Sequence, residues 1–152
     1  MPTNRDIIIL QAKIMISMSL FLFELALIAA NTEMLIGTFQ YDVGIDCKIT
    51  GITTYSRHAG ILGVMIVILE LFVKPYNPIL VMAILQLVKT CRLILTILGM
   101  VTLFSTYDKW TSNPEHKDDD NYCIFSAFIY PSIVILLEWI IAALCILAKL
   151  IE

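Results

Sequence analysis

Four apolar stretches of near-membrane length fill most of this chain and restrict what it can fold into. They cover about residues 8–30, 55–73, 79–104 and 124–148. A transmembrane helix needs about 20 predominantly apolar residues, and each stretch is close to this length or above it. Hydrophobic residues make up 59% of the chain, more than in a typical soluble domain. The sequence therefore predicts one integral membrane domain over residues 1–152, an all-α bundle of four transmembrane helices.

Composition and motifs argue against several classes of function. The net charge is -3 at pH 7 and no basic run occurs, which argues against nucleic-acid binding. No nucleotide-binding loop, nucleophile elbow or zinc signature can be found. We therefore expect no enzymatic activity, no catalytic residues, no metal site and no cofactor. The lipid bilayer is the first expected partner.

The order of the stretches predicts the topology. Two polar loops, residues 31–54 and 105–123, would lie on one side of the membrane and both termini on the other, because four crossings return the chain to its starting side. Basic residues are equally numerous on the two sides but denser in the short segments near the termini. This density favours cytoplasmic termini. We expect a multi-pass protein of the plasma membrane, with an organelle membrane as the alternative.

The first loop alternates apolar and polar residues with the period of a β-strand. Successive strand side chains point to opposite faces, so one face of this segment would be half-buried and could meet a partner. A single strand is not stable in water, and we expect it to pair within this loop and with the second loop. An irregular loop is the alternative. The apolar positions of this predicted interaction strand are Phe39, Tyr41, Val43, Ile45 and Ile49.

Each predicted loop contains one cysteine. If both loops lie outside the cytosol, Cys47 and Cys123 share an oxidising compartment, where such pairs tend to close into a disulfide. Two free thiols or a redox pair are the alternatives. Cys91 and Cys145 fall inside apolar stretches, and we interpret them as small buried apolar residues.

Three of the four stretches carry ionisable residues near their middles: Glu24, Lys89 with Arg92, and Glu138. A charge at the bilayer centre costs about 2.5–3.5 kcal/mol on insertion scales, so it usually faces protein or water and has a partner. In a structural interpretation, the acids neutralise the bases and fix which helices touch, or the cluster meets an opposite charge on another subunit. In a functional interpretation, the carboxylates bind and release protons or cations along a water path.

Two smaller features of the second stretch concern packing. Gly60 and Gly63 would allow a neighbouring helix to approach closely. Glu70 precedes Lys74 by four residues, the spacing of an ion pair on a helix surface. Both features predict structural roles.

The predicted layout has inside termini, a longer strand-bearing first loop, a shorter second loop and one tight inner turn. It resembles that of claudin-like tetraspan proteins. Claudins carry a Trp-Gly-Leu-Trp pattern with two cysteines in the first loop, whereas Cys47 has no tryptophan nearby, and no functional residue is carried over. The resemblance implies an adhesive, junctional or channel-accessory protein whose outer sheet meets a partner.

Three functions remain open at this point. The first is a non-enzymatic accessory, structural or adhesive tetraspan that binds another membrane protein or copies of itself. The second is an ion- or proton-coupled small transporter or channel subunit that uses Glu24 and Glu138. The third is a subunit of a large energy-converting membrane complex.

Overall fold

The chain forms four long helices that alternate in direction. The computed structural model describes residues 4–40 and 47–151. The helices are α1 Asn4–Gln40, α2 Thr50–Ile68, α3 Pro78–Thr106 and α4 Phe125–Ile151. Each is long and apolar enough to cross a membrane, α2 together with the π-helical turn that follows it. The prediction of an all-α, multi-pass membrane bundle is confirmed.

Local sequence explains how α2 gives way to α3. α2 continues into a π-helical turn, Leu69–Val73, and a short turn over residues 74–77 follows. The Asn77 side-chain oxygen accepts a hydrogen bond from the Leu80 N–H at 3.3 Å. Pro78 occupies the first position of α3, where its missing N–H costs no helical hydrogen bond. The capping asparagine and the proline together start α3 directly after the turn.

The helices follow the order α1, α2, α3, α4 around the bundle. α1 packs against both α4 and α2, and α2 also packs against α3, whereas α3 and α4 approach each other only locally. α1 and α3 lie on a diagonal and their backbones do not touch. The side between α3 and α4 is therefore the least closed.

α1 extends ten residues past the end predicted at residue 30. It continues to Gln40, and α2 already begins at Thr50, so most of the predicted first loop is helical. Met34 and Gly37 are buried in the added turns. Packing against the bundle thus stabilises a helical segment whose polar residues suggest a loop.

No strand occurs among residues 4–40 and 47–151. Phe39 lies in the last turn of α1, and Ile49 is the extended residue that precedes α2. The predicted strand is therefore not seen at these two positions: Phe39 is helical, and Ile49 is extended without belonging to a strand, although the nearby Cys47 forms an isolated antiparallel bridge with Cys123 of the second loop. Tyr41, Val43 and Ile45 lie outside the described residues.

A disulfide joins the two loops at one end of the bundle. Cys47 is bonded to Cys123 across a sequence separation of 76, which confirms the predicted pairing. The two segments also pair through their backbones, since the Lys48 N–H donates to the Tyr122 carbonyl at 2.9 Å. We call this the loop end; the termini end is the opposite one, where α1 begins and α4 finishes.

Aromatic packing covers the disulfide. The Trp110 ring stacks on Phe128 with the ring centroids 4.2 Å apart, and its indole N–H donates to the Cys123 carbonyl at 2.9 Å. Ile52 and Phe128 are almost fully buried in the same cluster. The loop end is therefore closed by a compact apolar plug.

Buried residues concentrate on the loop side of the bundle. Among the described residues, α1 buries none before Ala30, α2 none after Gly63 and α4 none after Ile135. α3 alone contributes buried apolar residues toward the termini end, such as Val81 and Leu85. The bundle thus divides into a packed loop half and an open termini half, and Arg92 lies at the boundary.

The two remaining cysteines lie on the surface of the bundle. Cys91 and Cys145 are free and exposed, so the prediction that they are buried is wrong. Their helices carry apolar side chains around the whole circumference. Composition alone therefore does not show which side of such a helix faces lipid.

Candidate functional site: a charged cleft in the termini half

An ion pair lies at the boundary between the two halves. Arg92 is fourteen residues from either end of α3, and Glu138 is thirteen from either end of α4. The Arg92 Nε donates to the Glu138 carboxylate, and the two side chains are 10% and 15% exposed. The pair thus joins the two neighbouring helices that pack least, at the middle of both.

Two buried polar side chains complete this network. The Arg92 Nη2 donates to Asn31 Oδ1 at 2.9 Å, and the Thr96 hydroxyl donates to the second oxygen of Glu138. A buried ion pair offsets its desolvation only when its remaining donors and acceptors are hydrogen-bonded. The network therefore fixes α1, α3 and α4 relative to one another.

Two glycines leave space for the side chains of this network and for the Tyr55 ring that packs beside it. A Cβ added at Gly63 would overlap the Arg92 guanidinium and lie 3.1 Å from the Asn31 amide nitrogen. A Cβ added at Gly99 would lie 2.7 Å from the Tyr55 ring. That ring is 2% exposed, and its hydroxyl lies beside Thr96, outside hydrogen-bonding geometry. The close approach predicted for Gly63 thus admits a charged side chain as well as a helix.

Lys89 belongs to a separate ion pair. Its ammonium nitrogen lies 2.6 Å from Glu70 Oε1, and the two side chains are 50% and 41% exposed. The predicted pair between Glu70 and Lys74 is wrong, because Lys89 of the neighbouring helix α3 takes the carboxylate instead. Lys89 also does not join Glu24 or Glu138.

Glu24 stands apart from both pairs. It is exposed, and it makes no hydrogen bond or ion pair with another residue in 4–40 or 47–151. Glu24 lies seven residues before Asn31, and Glu70 lies seven after Gly63, which contacts Asn31. At 1.5 Å per residue, both carboxylates are about 10 Å from the level of Arg92, toward the termini end.

These side chains line a cleft in the termini half. The cleft has a volume of about 260 Å³ between α1, α2 and α3. A second opening of about 350 Å³, between α3 and α4, shares part of its lining. The ion pair of Arg92 with Glu138 stands between this space and the packed half. We call the first of these two openings the charged cleft. Its polar lining is Glu24, Asn31, Glu70, Lys89 and Arg92.

The structure thus unites only part of the predicted charge cluster. Arg92 and Glu138 are bonded, whereas Lys89 and Glu24 line the same cleft without joining them. Asn31 and Thr96 complete the network although we did not predict them as site residues. Each follows a predicted residue at helical spacing, seven after Glu24 and four after Arg92, and that spacing is the signal that could have identified them.

Metal coordination has no obvious place here. Within the described part of the chain, no three His, Cys, Asp or Glu side chains are grouped so that they could hold a metal ion. The acids of the cleft instead lie beside lysine and arginine. The arrangement is suited to recognising charge.

Comparison with known proteins identifies no relative of this chain. No protein family, no curated protein and no solved structure matches it. What the protein does therefore has to be inferred from the geometry of the charged cleft.

Proposed function

We propose that this protein is a non-enzymatic accessory or structural subunit that binds another membrane protein through the charged cleft. The observation that carries the proposal is the exposure of Glu24, Glu70 and Lys89 on membrane-spanning helices. Ionisable side chains at membrane depth are costly unless they face protein or water. A partner seated in the cleft would separate them from lipid.

The exposed face of α1 in the termini half supports the same proposal. α1 begins 27 residues before Asn31, which is about 40 Å at 1.5 Å per residue, whereas α3 and α4 extend only about 20 Å beyond the network. Its large apolar side chains there are exposed, including Ile8 at 64% and Met15 at 70%. Among the described residues before Ala30, none is buried. A partner would find a long apolar helix face beside the charged cleft.

The orientation in the membrane, the choice of membrane and the adhesive role are proposed from the sequence. The disulfide supports loops that lie outside the cytosol, because disulfides persist in oxidising compartments. Cytoplasmic termini follow from the density of basic residues near the termini, and we keep the plasma membrane as the expected location. The claudin-like plan adds an adhesive or junctional role at the loop end, through the segment from residue 39 to residue 49.

The test is the native mass of the protein after gentle detergent extraction from its source membrane, with mass-spectrometric identification of the chains that co-purify. The proposal expects a different membrane protein in stoichiometric amount. A monomer or a homo-oligomer without a foreign chain would contradict it. The identity of the co-purifying chains also separates this proposal from membership of a large energy-converting complex.

A second candidate, an ion- or proton-coupled transporter or channel subunit, is favoured by one observation. The charged cleft leads past Glu24 to the paired carboxylate of Glu138 at the middle of the bundle. Arg92 already neutralises Glu138, and the loop half beyond it is packed, so no continuous path is evident among the described residues. Loss of proton or cation flux in liposomes that contain the Glu138→Gln variant, with expression and assembly retained, would favour this candidate over the first.

A further inference from the structure

We propose that the partner packs a transmembrane helix over the opening of the charged cleft and extends one lysine or arginine into the cleft, where it pairs with Glu24. The proposal rests on the proposed function and names the chemistry of the partner. It follows from three observations: the balance of charge in the cleft, the depth of the unpaired carboxylate, and the pairing of the basic residues of this chain.

One carboxylate in the cleft has no basic partner within the described residues. The ion pairs of Arg92 with Glu138 and of Lys89 with Glu70 use both bases of the cleft, one with Glu70 inside it and one with Glu138 at its boundary. Glu24 is the remaining acid, and no residue in the described ranges neutralises it. A buried carboxylate is stabilised most by a hydrogen-bonded cation, so the complementary group on the partner is basic.

The depth of Glu24 identifies a helix as the occupant. Its carboxylate lies about 10 Å from the level of Arg92, well inside a hydrocarbon core about 30 Å thick. Apolar side chains flank it along the cleft, among them Leu27, Ile28 and Ile141. Only a helix or a closed barrel satisfies its backbone hydrogen bonds at such a depth. A helix with an apolar surface and one basic residue fits this lining.

A second copy of this chain has no free base to offer at that depth. In a copy inserted in the same direction, the bases nearest this level are Lys89 and Arg92, and both are held in ion pairs. Lys13 lies about 16 Å from Glu24 toward the termini end. Lys74 and Lys149 are each eleven residues from the level of Arg92, about 16 Å, which places them at the edge of the hydrocarbon core, where their side chains extend to the interface and not inward. Arg57 lies in the loop half, six residues before Gly63. The partner is therefore a different protein.

The test uses the full chain in phosphatidylcholine liposomes and a synthetic Leu/Ala transmembrane peptide with one lysine placed about 10 Å from its centre. A dansyl group on the peptide accepts energy from Trp110 and Trp139, so association is measured without modifying the protein. A matched peptide carries glutamine in place of lysine. The protein variants are Glu24→Gln and, as a control on the same helix, Glu33→Gln; Glu33 is exposed on the loop side of Asn31.

We expect the lysine peptide to bind wild type and Glu33→Gln about tenfold more tightly than the glutamine peptide, as one interhelical charged contact would give. In Glu24→Gln this preference should disappear. Equal binding of the two peptides to wild type would overturn the proposal, and so would a lysine preference that survives in Glu24→Gln. Self-association of the protein in peptide-free liposomes that is lost in Glu24→Gln would overturn it in favour of a second copy as the occupant.

A separate measurement distinguishes failure of this inference from failure of the proposed function. Wild type and Glu24→Gln are extracted from the source membrane and their co-purifying chains are quantified. A stoichiometric partner retained equally by both leaves the accessory function standing and overturns the role of Glu24. If wild type itself retains no foreign chain, the proposed function and the inference that rests on it both fail.

Discussion

The loop half and the termini half are built from the same four apolar helices, yet most of the buried residues lie in the loop half. The loop half buries Tyr55, Phe128 and Val134 almost completely and is tied by the disulfide. In the termini half, α1 and α4 bury none of their described residues. Lipid tails are as apolar as leucine, so apolar composition does not itself drive helices together in a bilayer. Small residues, polar contacts and covalent bonds do, and they are concentrated in the loop half and at its boundary.

The largest effect on stability should come from removing the ion pair at the boundary between the two halves. Arg92→Leu leaves Glu138 and Asn31 without their partner, and the free energy of unfolding should fall by about 3–5 kcal/mol, as for other buried pairs that lose one member. The measurement is reversible unfolding in detergent micelles. The double variant Arg92→Leu with Glu138→Leu should regain most of this loss. If the single variant unfolds like wild type, the network does not hold the halves together.

Loss of the disulfide should have the next largest effect on stability. It closes a loop of 76 residues, and Cys47→Ser should lower the free energy of unfolding by about 2–4 kcal/mol. The control is Cys145→Ser, which removes an exposed free thiol and should leave stability unchanged. Intact-mass measurement with and without reductant should show one bridge. Four free thiols in the isolated protein would contradict the proposed closure of the loop end.

Substitutions at two glycines test how tightly the boundary between the two halves is packed. Gly63→Ala places a methyl group against the Arg92 guanidinium, and overpacking of this kind costs about 1–3 kcal/mol. At Gly60 the added Cβ would lie 3.3 Å from the Leu35 Cβ, so Gly60→Ala should cost less. Thermal unfolding of both variants, followed by tryptophan fluorescence, checks the order. Equal costs would show that the guanidinium can move aside.

The smallest effect should occur within the termini half. Lys89→Gln breaks a half-exposed pair with Glu70, and polar contacts between membrane helices average about 0.6 kcal/mol. We expect a change in unfolding free energy of about that size, with Glu70→Gln giving the same result. A loss as large as that of Arg92→Leu would mean that the termini half is held together as firmly as the loop half.

The number of helices and the disulfide could be predicted because each depends on a local or compositional signal. Runs of apolar residues define the spans, and Cys47 with Cys123 occupies the two loops. The end of α1 could not be predicted this way. Asn31 and Glu33 interrupt the hydropathy as loop residues would, but Asn31 is 5% exposed and bound to Arg92.

Within the charge cluster, the pair of Arg92 with Glu138 agrees with the structural interpretation, but the partner of Lys89 and the isolation of Glu24 could not be predicted. Counting residues along each span gives the depth of a side chain in its own helix, but it does not give the vertical offset between helices. α1 is shifted so that Asn31, and not Glu24, meets the level of Arg92. Lys89 is therefore paired with Glu70 of the π-helical turn that follows α2, and Glu24 lies on the termini side of the network. Such offsets are set by tertiary packing.

The length of α1 also relates the protein to the thickness of its membrane. The apolar stretch of α1, about residues 8–30, measures about 34 Å, a few ångströms more than a hydrocarbon core of about 30 Å. Hydrophobic mismatch of this kind is relieved by tilting the helix or by stretching the nearby lipids, at a cost that rises with each ångström. Reconstitution in lipids of increasing acyl-chain length should therefore stabilise the protein progressively, and α1 would act as a gauge that sorts it toward thicker bilayers.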